Sequence, residues 1–363
     1  MHRVFVDTYG CAVNQADSEF IAGLLERAGF ETAASSAAAD VIVMNTCIVK
    51  TPTENRIVRR MQGVVASGKP LVIAGCMSKT SKLRIESIAP AACIVGPDSL
   101  SYIADAVKAA LAGRRVVFVS DERSDKPGLP RVRRRKDLGI VPIAIGCLGA
   151  CSYCATKSAR GKLKSYPIDC IVAETAALVK DGCREIWLTS EDDSCYGLDI
   201  GTNLAELIRN VSSVQGDFSI RIGMMNPTYI RGAKLLDALI SAYKHPKVSK
   251  FLHVPVQSGS DKILRAMKRG YTVADFEKIV AAFRAEIPGV YVNTDVIVGF
   301  PGETDEDFDA TMRLLERVKP ENVNLSKFGA RPGTEAARME QLPAQVVAAR
   351  SRTVSSFLRK PSA

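Results

Sequence analysis

Nowhere in the 363 residues does an apolar run approach 18 uninterrupted positions, which excludes a membrane-spanning helix. The opening Met1-His2-Arg3-Val4-Phe5-Val6-Asp7 reads straight into a strand, without the apolar run and small-residue cleavage site of a signal peptide. Cysteine is too sparse for a disulfide scaffold, at ten in 363 residues. Histidine is scarcer still, with only His2, His245 and His253. No Gly-x-Gly-x-x-Gly fingerprint of a dinucleotide site is present. Residues 63–70 nearly match a phosphate-binding loop but fail: Pro70 replaces the magnesium-binding hydroxyl, and the segment joins a helix to a strand, the reverse of the required order. Short-period repeats and low-complexity tracts are also missing. What remains is a reduced, cytoplasmic protein with no membrane partner, whose clustered cysteines bind metal.

The composition, 47% apolar and 24% charged, is that of an ordinary globular protein. Its length suggests two or three domains. Net charge is +10 and unevenly spread: between Asp121 and Ser165 eleven basic residues face four acidic ones, so seven of the ten excess charges lie in one segment. A run of this kind points to a polyanionic partner.

Short apolar runs at 3–9, 41–45, 71–74 and 94–95 alternate with helical patterns at 17–28, 53–66 and 100–111. This predicts an α/β fold that begins with a small parallel sheet covered by helices, residues 1–119. A linker follows at 120–139, with Pro127-Gly128-Leu129-Pro130 and then the basic run 131–136. Six further strand–helix units occupy 140–340, with strands expected at 143–146, 185–189, 219–224, 251–256, 290–298 and 323–328. Six units are too few for a closed eight-stranded barrel, so an open partial (β/α)6 barrel is expected, with its chemistry at the C-terminal strand ends. A last helix falls within 341–363. Thr304, after Gly299-Phe-Pro-Gly-Glu303, reads as a helix cap.

The sharpest chemical signal is Cys147-x-x-x-Cys151-x-x-Cys154, a tight loop expected straight after the first barrel strand. Three thiolates would hold a cubane iron–sulfur cluster and leave one iron free for a small molecule. A zinc site borrowing a remote fourth ligand is the alternative. A second constellation emerges once the strands are placed. Cys11, Cys47 and Cys76 each end one of the first three strands, and neighbouring parallel strands lie about 4.8 Å apart, so the three converge at one end of the sheet. Each follows a small residue, which lets backbone approach a bulky ligand. Buried structural cysteines are the bland alternative. Cys93, Cys170, Cys183 and Cys195 show no such pattern and read as packing residues.

On these residues the chain resembles the radical S-adenosylmethionine enzymes, and among them the methylthiotransferases, whose N-terminal domain the trio Cys11, Cys47 and Cys76 resembles. Leu188-Thr-Ser-Glu-Asp192, His253-Val-Pro-Val-Gln-Ser-Gly259, Asp295-Val-Ile-Val-Gly-Phe-Pro-Gly-Glu303 and Arg331-Pro-Gly-Thr334 agree. Thr51-Pro-Thr-Glu-Asn-Arg56, Cys154-Ala-Thr-Lys-Ser-Ala-Arg-Gly161 and Ser165-Tyr-Pro167 resemble the archaeal and eukaryotic branch, which acts on N6-threonylcarbamoyladenosine at position 37 of tRNA. The resemblance implies two [4Fe-4S] clusters and S-adenosyl-L-methionine as cofactors. It also implies tRNA as partner, beside an electron donor and a sulfur donor.

Cys147, Cys151 and Cys154 would hold the cluster that cleaves S-adenosylmethionine to a 5′-deoxyadenosyl radical; the cluster at Cys11, Cys47 and Cys76 would hold the sulfur to be inserted. Tyr153 would pack near the cofactor adenine, or simply within its loop. Ser190 and Glu191 would contact the methionyl amine, or Glu191 would be paired structurally. Arg221 and Gln257 would reach cofactor or substrate, while His253 reads as a core histidine. Asp193-Ser194-Cys195 departs from the Thr-Gly-Ala usual in this branch. No counterpart of the family's small RNA-binding β-barrel is expected before Ala363, which leaves Arg131, Arg133, Arg134, Arg135 and Lys136 as the expected phosphate contacts. Alternatives of substrate are another modified adenosine or a ribosomal protein residue; the alternative of class is a two-cluster electron-transfer or redox-sensing protein.

Overall fold

Apolar strands and amphipathic helices alternate along the chain, as the sequence pattern requires. The computed structural model describes residues 1–120 and 125–359; positions 121–124 of the expected linker and 360–363 of the expected C-terminal segment lie outside the described residues. The chain divides into two compact units. One holds Met1–Cys147 and Ala155–Glu191, the other Leu148–Cys154 and Asp192–Ala363.

The first unit is built on β1 (Arg3–Thr8), β2 (Glu31–Thr32), β3 (Val41–Thr46), β4 (Leu71–Gly75), β5 (Cys93–Val95) and β6 (Val117–Phe118), all parallel in the order β2-β1-β3-β4-β5-β6. Every residue of β3 and β4 is buried, because helices cover both faces. Val41 and Val43 face α1 (Ala12–Arg27) and α5 (Ile103–Leu111), packing with Phe20, Ile21, Ile103 and Val107. Ile42 and Met44 face α2 (Thr51–Ala66), packing with Ile57, Met61 and Val64. This is the period-two alternation of a strand buried on both sides. The four expected strands of this half fall on β1, β3, β4 and β5; β2 and β6 are two-residue edges too short to leave a pattern. Two short helices, α3 (Cys76–Thr80) and α4 (Lys82–Ile88), occupy a stretch with no clear periodicity.

The first unit continues through β7 (Leu138–Pro142), which pairs in parallel with β10 (Glu185–Thr189), and through a small antiparallel pair, β8 (Ala144–Ile145) and β9 (Lys164–Ser165). The barrel strand expected at 143–146 is therefore displaced: the parallel strand is 138–142. The run from Leu138 to Ile145 is almost uniformly apolar, so it carries no period to fix an end. Pro142 is the last residue of β7, although the Ile143 N–H still donates to the Thr189 carbonyl at 3.0 Å. Helices α6 (Thr156–Arg160) and α7 (Ile168–Lys180) complete this unit.

The described part of the expected linker has no regular structure until β7, yet it packs firmly on α1. Arg131 stacks on Phe20 with its guanidinium 4.6 Å from the ring centre, and Val132 N–H donates to the Glu19 carbonyl at 3.0 Å. Gly23 permits this approach: a Cβ there would lie 2.4 Å from the Pro130 carbonyl carbon. Glu19 is enclosed by the same contact, and burial, opposed by Arg131 and Arg133, raises its pKa from an ordinary 4.5 to about 7. The folded state then holds the proton more tightly than the unfolded chain. Stability from this group is complete below about 4.5 and is lost as pH rises through about 7, by a total on the order of 3 kcal/mol. Urea titrations at pH 5 and pH 8 should show this loss, and Glu19→Gln should shrink the difference. An unchanged difference in Glu19→Gln would mean that other groups, such as buried Glu174, carry it.

The second unit contains β11 (Ser219–Ile222) and the parallel sheet β12 (Phe251–His253), β13 (Tyr291–Val298) and β14 (Asn322–Lys327), in that order. Single bridges Ile220 to Val248 and Met224 to His253 join the β11 segment to the β12 segment. Its helices are α8 (Leu204–Ser212), α9 (Pro227–Ile230), α10 (Ala233–Tyr243), α11 (Asp261–Ala266), α12 (Val273–Glu286), α13 (Asp305–Val318) and α14 (Ala344–Leu358). Thr272 and Thr304 start α12 and α13 with reciprocal capping boxes, as expected for Thr304. Among the described residues no helix is long and apolar enough to cross a membrane.

Candidate metal centre

In the first unit β1, β3 and β4 are direct neighbours, and Cys11, Cys47 and Cys76 stand just past their C-terminal ends. Cys11 is the N-cap of α1 and exposed; Cys47 and the α3-opening Cys76 are buried. All three are free thiols. Gly10 adopts φ +108°, and a Cβ on it would lie 2.8 Å from Cys47 Sγ, so only glycine lets the first loop lie against the second thiol. Asn14, one turn into α1, binds the strand ends together. Its Nδ2 donates to the Tyr9 carbonyl at 2.9 Å and the Thr46 carbonyl at 2.8 Å, while Oδ1 lies 3.8 Å from Cys76 Sγ.

A buried cation stands beside the trio. Arg160, 1% exposed, donates through Nη2 to Asn14 Oδ1 at 2.7 Å and pairs through Nη1 with Asp17 at 2.7 Å, with Nε 3.5 Å from Glu191. Lys126 also pairs with Asp17. Burial would raise the Asp17 pKa, but Arg160 and Lys126 outweigh it and hold the carboxylate below its ordinary value. For Glu191 burial wins over Arg160, and its pKa is raised. Burial pushes the Cys76 thiol up to about 12, against the pull of Arg160 and reinforced by Cys47 and Cys11. The thiols sense one another, and metal binding must displace their protons. Three soft sulfur donors, a glycine-cleared approach and a nearby cation fit a thiolate-held iron–sulfur cluster.

The other cysteine motif is divided by the chain's two units. Cys147 closes the long segment of the first and is half-buried, whereas Cys151 and Cys154, also half-buried, lie in the second. There the Cys154 N–H donates to the Cys151 carbonyl at 3.1 Å, drawing the loop into a turn. Ser152 fastens that turn to the end of α11, its N–H donating to the Met267 carbonyl at 3.1 Å and its hydroxyl to the Ala266 carbonyl at 2.8 Å. Arg269, buried, donates from Nη1 to Cys151 Sγ at 3.2 Å. The half-buried thiols of the turn suit iron or zinc equally in donor type.

The remaining expectations divide. Tyr153 packs edge-on against Phe300 at 6.4 Å between ring centres and joins the apolar group of Ile263, Met267 and Ala336. Ser190 is buried just beyond β10. Glu191 accepts the Gly146 N–H at 2.8 Å and faces Arg160 at 3.5 Å. Arg221 lies over the Phe251 ring at 4.1 Å, so its planar face is already engaged. Gln257 holds φ +69°, an unusual backbone for a non-glycine, and its buried Oε1 has no hydrogen-bond partner. His253 is half-buried with Nε2 3.2 Å from Asp295 Oδ2 rather than in a core. Asp193–Cys195 forms a 3-10 turn capped by Asp192, with Asp193 accepting the Gly223 N–H at 2.7 Å. Cys93, Cys183 and Cys195 are buried as expected, but Cys170 is exposed on α7: its side chain falls on the solvent stripe of that helix.

The basic run is largely paired. Arg131 engages Glu19 and Glu174, Arg133 engages Asp181, and Arg135 engages Asp137 at 2.7 Å. Arg134 and Lys136 are exposed. Of the same charged segment, Lys126 and Arg160 are buried in ion pairs, so part of the apparent polyanion footprint is internal. Asn14, Arg160 and Arg269 were not singled out from sequence; the only signal was a basic residue six positions after Cys154, hidden in the charge count.

Residues 141–315 match the Radical SAM superfamily, and residues 3–96 match an uncharacterized protein family, UPF0004. A probable threonylcarbamoyladenosine tRNA methylthiotransferase of Pyrococcus horikoshii is 46% identical over 355 residues, covering 97% of this chain and 83% of that protein. The Homo sapiens threonylcarbamoyladenosine tRNA methylthiotransferase is 37% identical over 363 residues, 98% of this chain and 62% of that protein. Among solved structures, the radical S-adenosylmethionine methyltransferase TsrM from Kitasatospora setae, with cobalamin and a [4Fe-4S] cluster bound, superposes with a TM-score of 0.66 at 17% identity, over 92% of this chain and 76% of that one. This likeness is one of fold and agrees with the expected parallel α/β architecture.

Proposed function

The chain belongs to the radical S-adenosylmethionine methylthiotransferase family that these archaeal and human proteins represent, and from that premise we propose that it converts N6-threonylcarbamoyladenosine at position 37 of tRNA to its 2-methylthio derivative. The observation that carries this reading is the 46% identity to an archaeal relative across 97% of the chain. The reading assigns two [4Fe-4S] clusters, one to Cys11, Cys47 and Cys76 and one to Cys147, Cys151 and Cys154. When bound, the clusters and S-adenosylmethionine supply the electron, the radical and the sulfur that carbon–sulfur bond formation on the adenine requires.

The chain's own residues hold these parts in register and keep water out. Cys47 and Cys76 sit in the apolar layer of Ile42, Met44, Ile73 and Met77, which shields the sulfur-bearing site on the sheet side. Asn14 fixes the spacing of the strand ends, and Arg160 offsets the negative charge of three thiolates. Gln257, with strained backbone and an unpaired acceptor, is assigned a donor group of cofactor or substrate, and Ser190 a contact to the methionyl amine. Exposed Arg134 and Lys136 are assigned to tRNA phosphates, each contact steepening the fall of affinity with salt. An electron donor and a sulfur donor complete the cycle.

The test is nucleoside mass spectrometry on tRNA bearing threonylcarbamoyladenosine, incubated anaerobically with reconstituted protein, reductant, sulfide and S-adenosylmethionine. A gain of one methylthio group on that nucleoside is expected. Production of 5′-deoxyadenosine without that gain would overturn the substrate, and absence of both would overturn the reaction.

A further inference from the structure

Arg269 is a buried guanidinium that, among the described residues, makes no ion pair with a carboxylate, and the end of α11 sets where it sits. Helix α11 ends at Ala266, and Lys268 then adopts φ +56°. The Lys268 N–H donates to the Arg265 carbonyl at 2.9 Å and the Arg269 N–H to the Leu264 carbonyl at 2.8 Å. These two bonds are the Schellman ending of a helix, and they fold Arg269 back beside the loop whose turn Ser152 fastens to the same helix end. Its Nε donates to Tyr271 Oη at 3.1 Å, and that hydroxyl donates in turn to the carbonyls of Pro255 and Val256 at 3.0 and 2.7 Å. Nη1 reaches Cys151 Sγ at 3.2 Å, and Nη2 is buried without any partner.

Among the described residues no carboxylate lies in ion-pair distance of this cation; its neighbours are the phenols of Tyr271 and Tyr153 and the Cys151 thiol, and the buried Asp192 carboxyl feels its charge from farther off. An arginine cannot shed its proton, and a buried charge without a counter-charge costs several kcal/mol, on the order of a broken buried ion pair. With no direct ion pair made, the cation is offset further by negative charge arriving beside it, and the atom it already touches is a cysteine sulfur. A thiolate there turns the contact into a charge-assisted hydrogen bond. Hydrogen bonds to the sulfurs of an iron–sulfur cluster, and positive charge near it, favour the reduced state.

We propose that Arg269 is a positioning residue for the cluster held through Cys151, fixing that ligand and raising the potential at which the cluster accepts its electron. This rests on the reading that Cys147, Cys151 and Cys154 hold an iron–sulfur cluster. The guanidinium is held by Tyr271 on one side and acts on Cys151 from the other, so it serves the reduction step before S-adenosylmethionine is cleaved and touches neither sulfur insertion nor tRNA. Lysine in its place retains the charge but loses the planar fork that spans Tyr271 and Cys151.

The test is a redox titration of the reconstituted full chain as wild type, Arg269→Lys and Arg269→Gln, followed by electron paramagnetic resonance. The relevant cluster is identified as the one whose reduced signal changes when S-adenosylmethionine is added, and iron per chain is measured alongside. Arg269→Gln is expected to make reduction at least tenfold less favourable, a fall of about 59 mV for one electron, with Arg269→Lys between it and wild type. Loss of iron from Arg269→Gln with retention by Arg269→Lys, both folded, would equally support the proposal through rescue by charge. A fully loaded Arg269→Gln with the wild-type potential would overturn it. So would parallel loss of iron and of folding in both variants, which is the mark of a purely structural residue. If the wild type itself shows no signal that responds to S-adenosylmethionine, the reading of the Cys147, Cys151 and Cys154 site fails instead.

Discussion

Cys47→Ala should leave the cleavage of S-adenosylmethionine at wild-type level and abolish methylthiolation, whereas Cys151→Ala should abolish both. The two thiols belong to different sets. Cys47 follows β3 in the first unit, beside Gly10 and the strand ends tied by Asn14; Cys151 lies in the second unit, in the turn fastened by Ser152 and touched by Arg269. On the proposed two-cluster reading, removing one of three thiolates leaves too few protein ligands to retain a cluster, so each loss should be close to complete rather than graded. The measurement pairs 5′-deoxyadenosine release with nucleoside mass spectrometry on the same reaction. Cys47 is 3% exposed, so Cys47→Ser, nearly the same in volume, serves to separate ligand loss from a packing defect. Normal methylthiolation by Cys47→Ala would refute the second site outright. Loss of cleavage in Cys47→Ala would mean the two cysteine sets do not act separately.

The parts of this design that could be read from sequence are those carried by periodicity and spacing. β3 and β4 are buried on both faces, so their apolar runs stand out, and with β1 they place Cys11, Cys47 and Cys76 at the C-terminal end of the sheet. The same reasoning misplaced the strand before Cys147, because an apolar run from Leu138 to Ile145 offers no alternation to mark its end. Charge was legible only as a sum. Lys126, Arg131 and Arg160 were counted toward a polyanion-binding surface, yet they meet Asp17, Glu19 and Glu174, residues up to 143 positions away in the case of Arg160 and Asp17. Ion pairing between distant positions leaves no periodic trace, and a buried arginine looks like an exposed one in a sequence. Arg269 was hidden for the same reason: its partner Cys151 is 118 residues away.

Arg160→Met should destabilise the first unit by about 3–5 kcal/mol, the usual cost of stripping a buried carboxylate of its cation. The side chains of Arg160 and Asp17 are each 1% exposed, so solvent cannot replace what is lost. Lys126 still pairs with Asp17, but Glu191 and the Asn14 amide oxygen lose the cation that faces them. The double variant Arg160→Met with Asp17→Asn should recover part of the loss, since removing both charges costs less than orphaning one. The sign with pH follows from Asp17. Its carboxyl is held below the ordinary 3.8, so its stabilising contribution is complete above that value and disappears as pH falls through the folded-state pKa. In Arg160→Met that acid-labile contribution shrinks, and the urea midpoints of variant and wild type should draw together at low pH. Since Arg160 also stands beside Cys76, the proposed site at Cys11, Cys47 and Cys76 should hold less iron in the variant, while cleavage of S-adenosylmethionine, assigned to Cys147, Cys151 and Cys154, should persist. A change below about 1 kcal/mol at neutral pH, within the range of an exposed ion pair, would show that the network of Asn14, Asp17 and Glu191 does not depend on this cation.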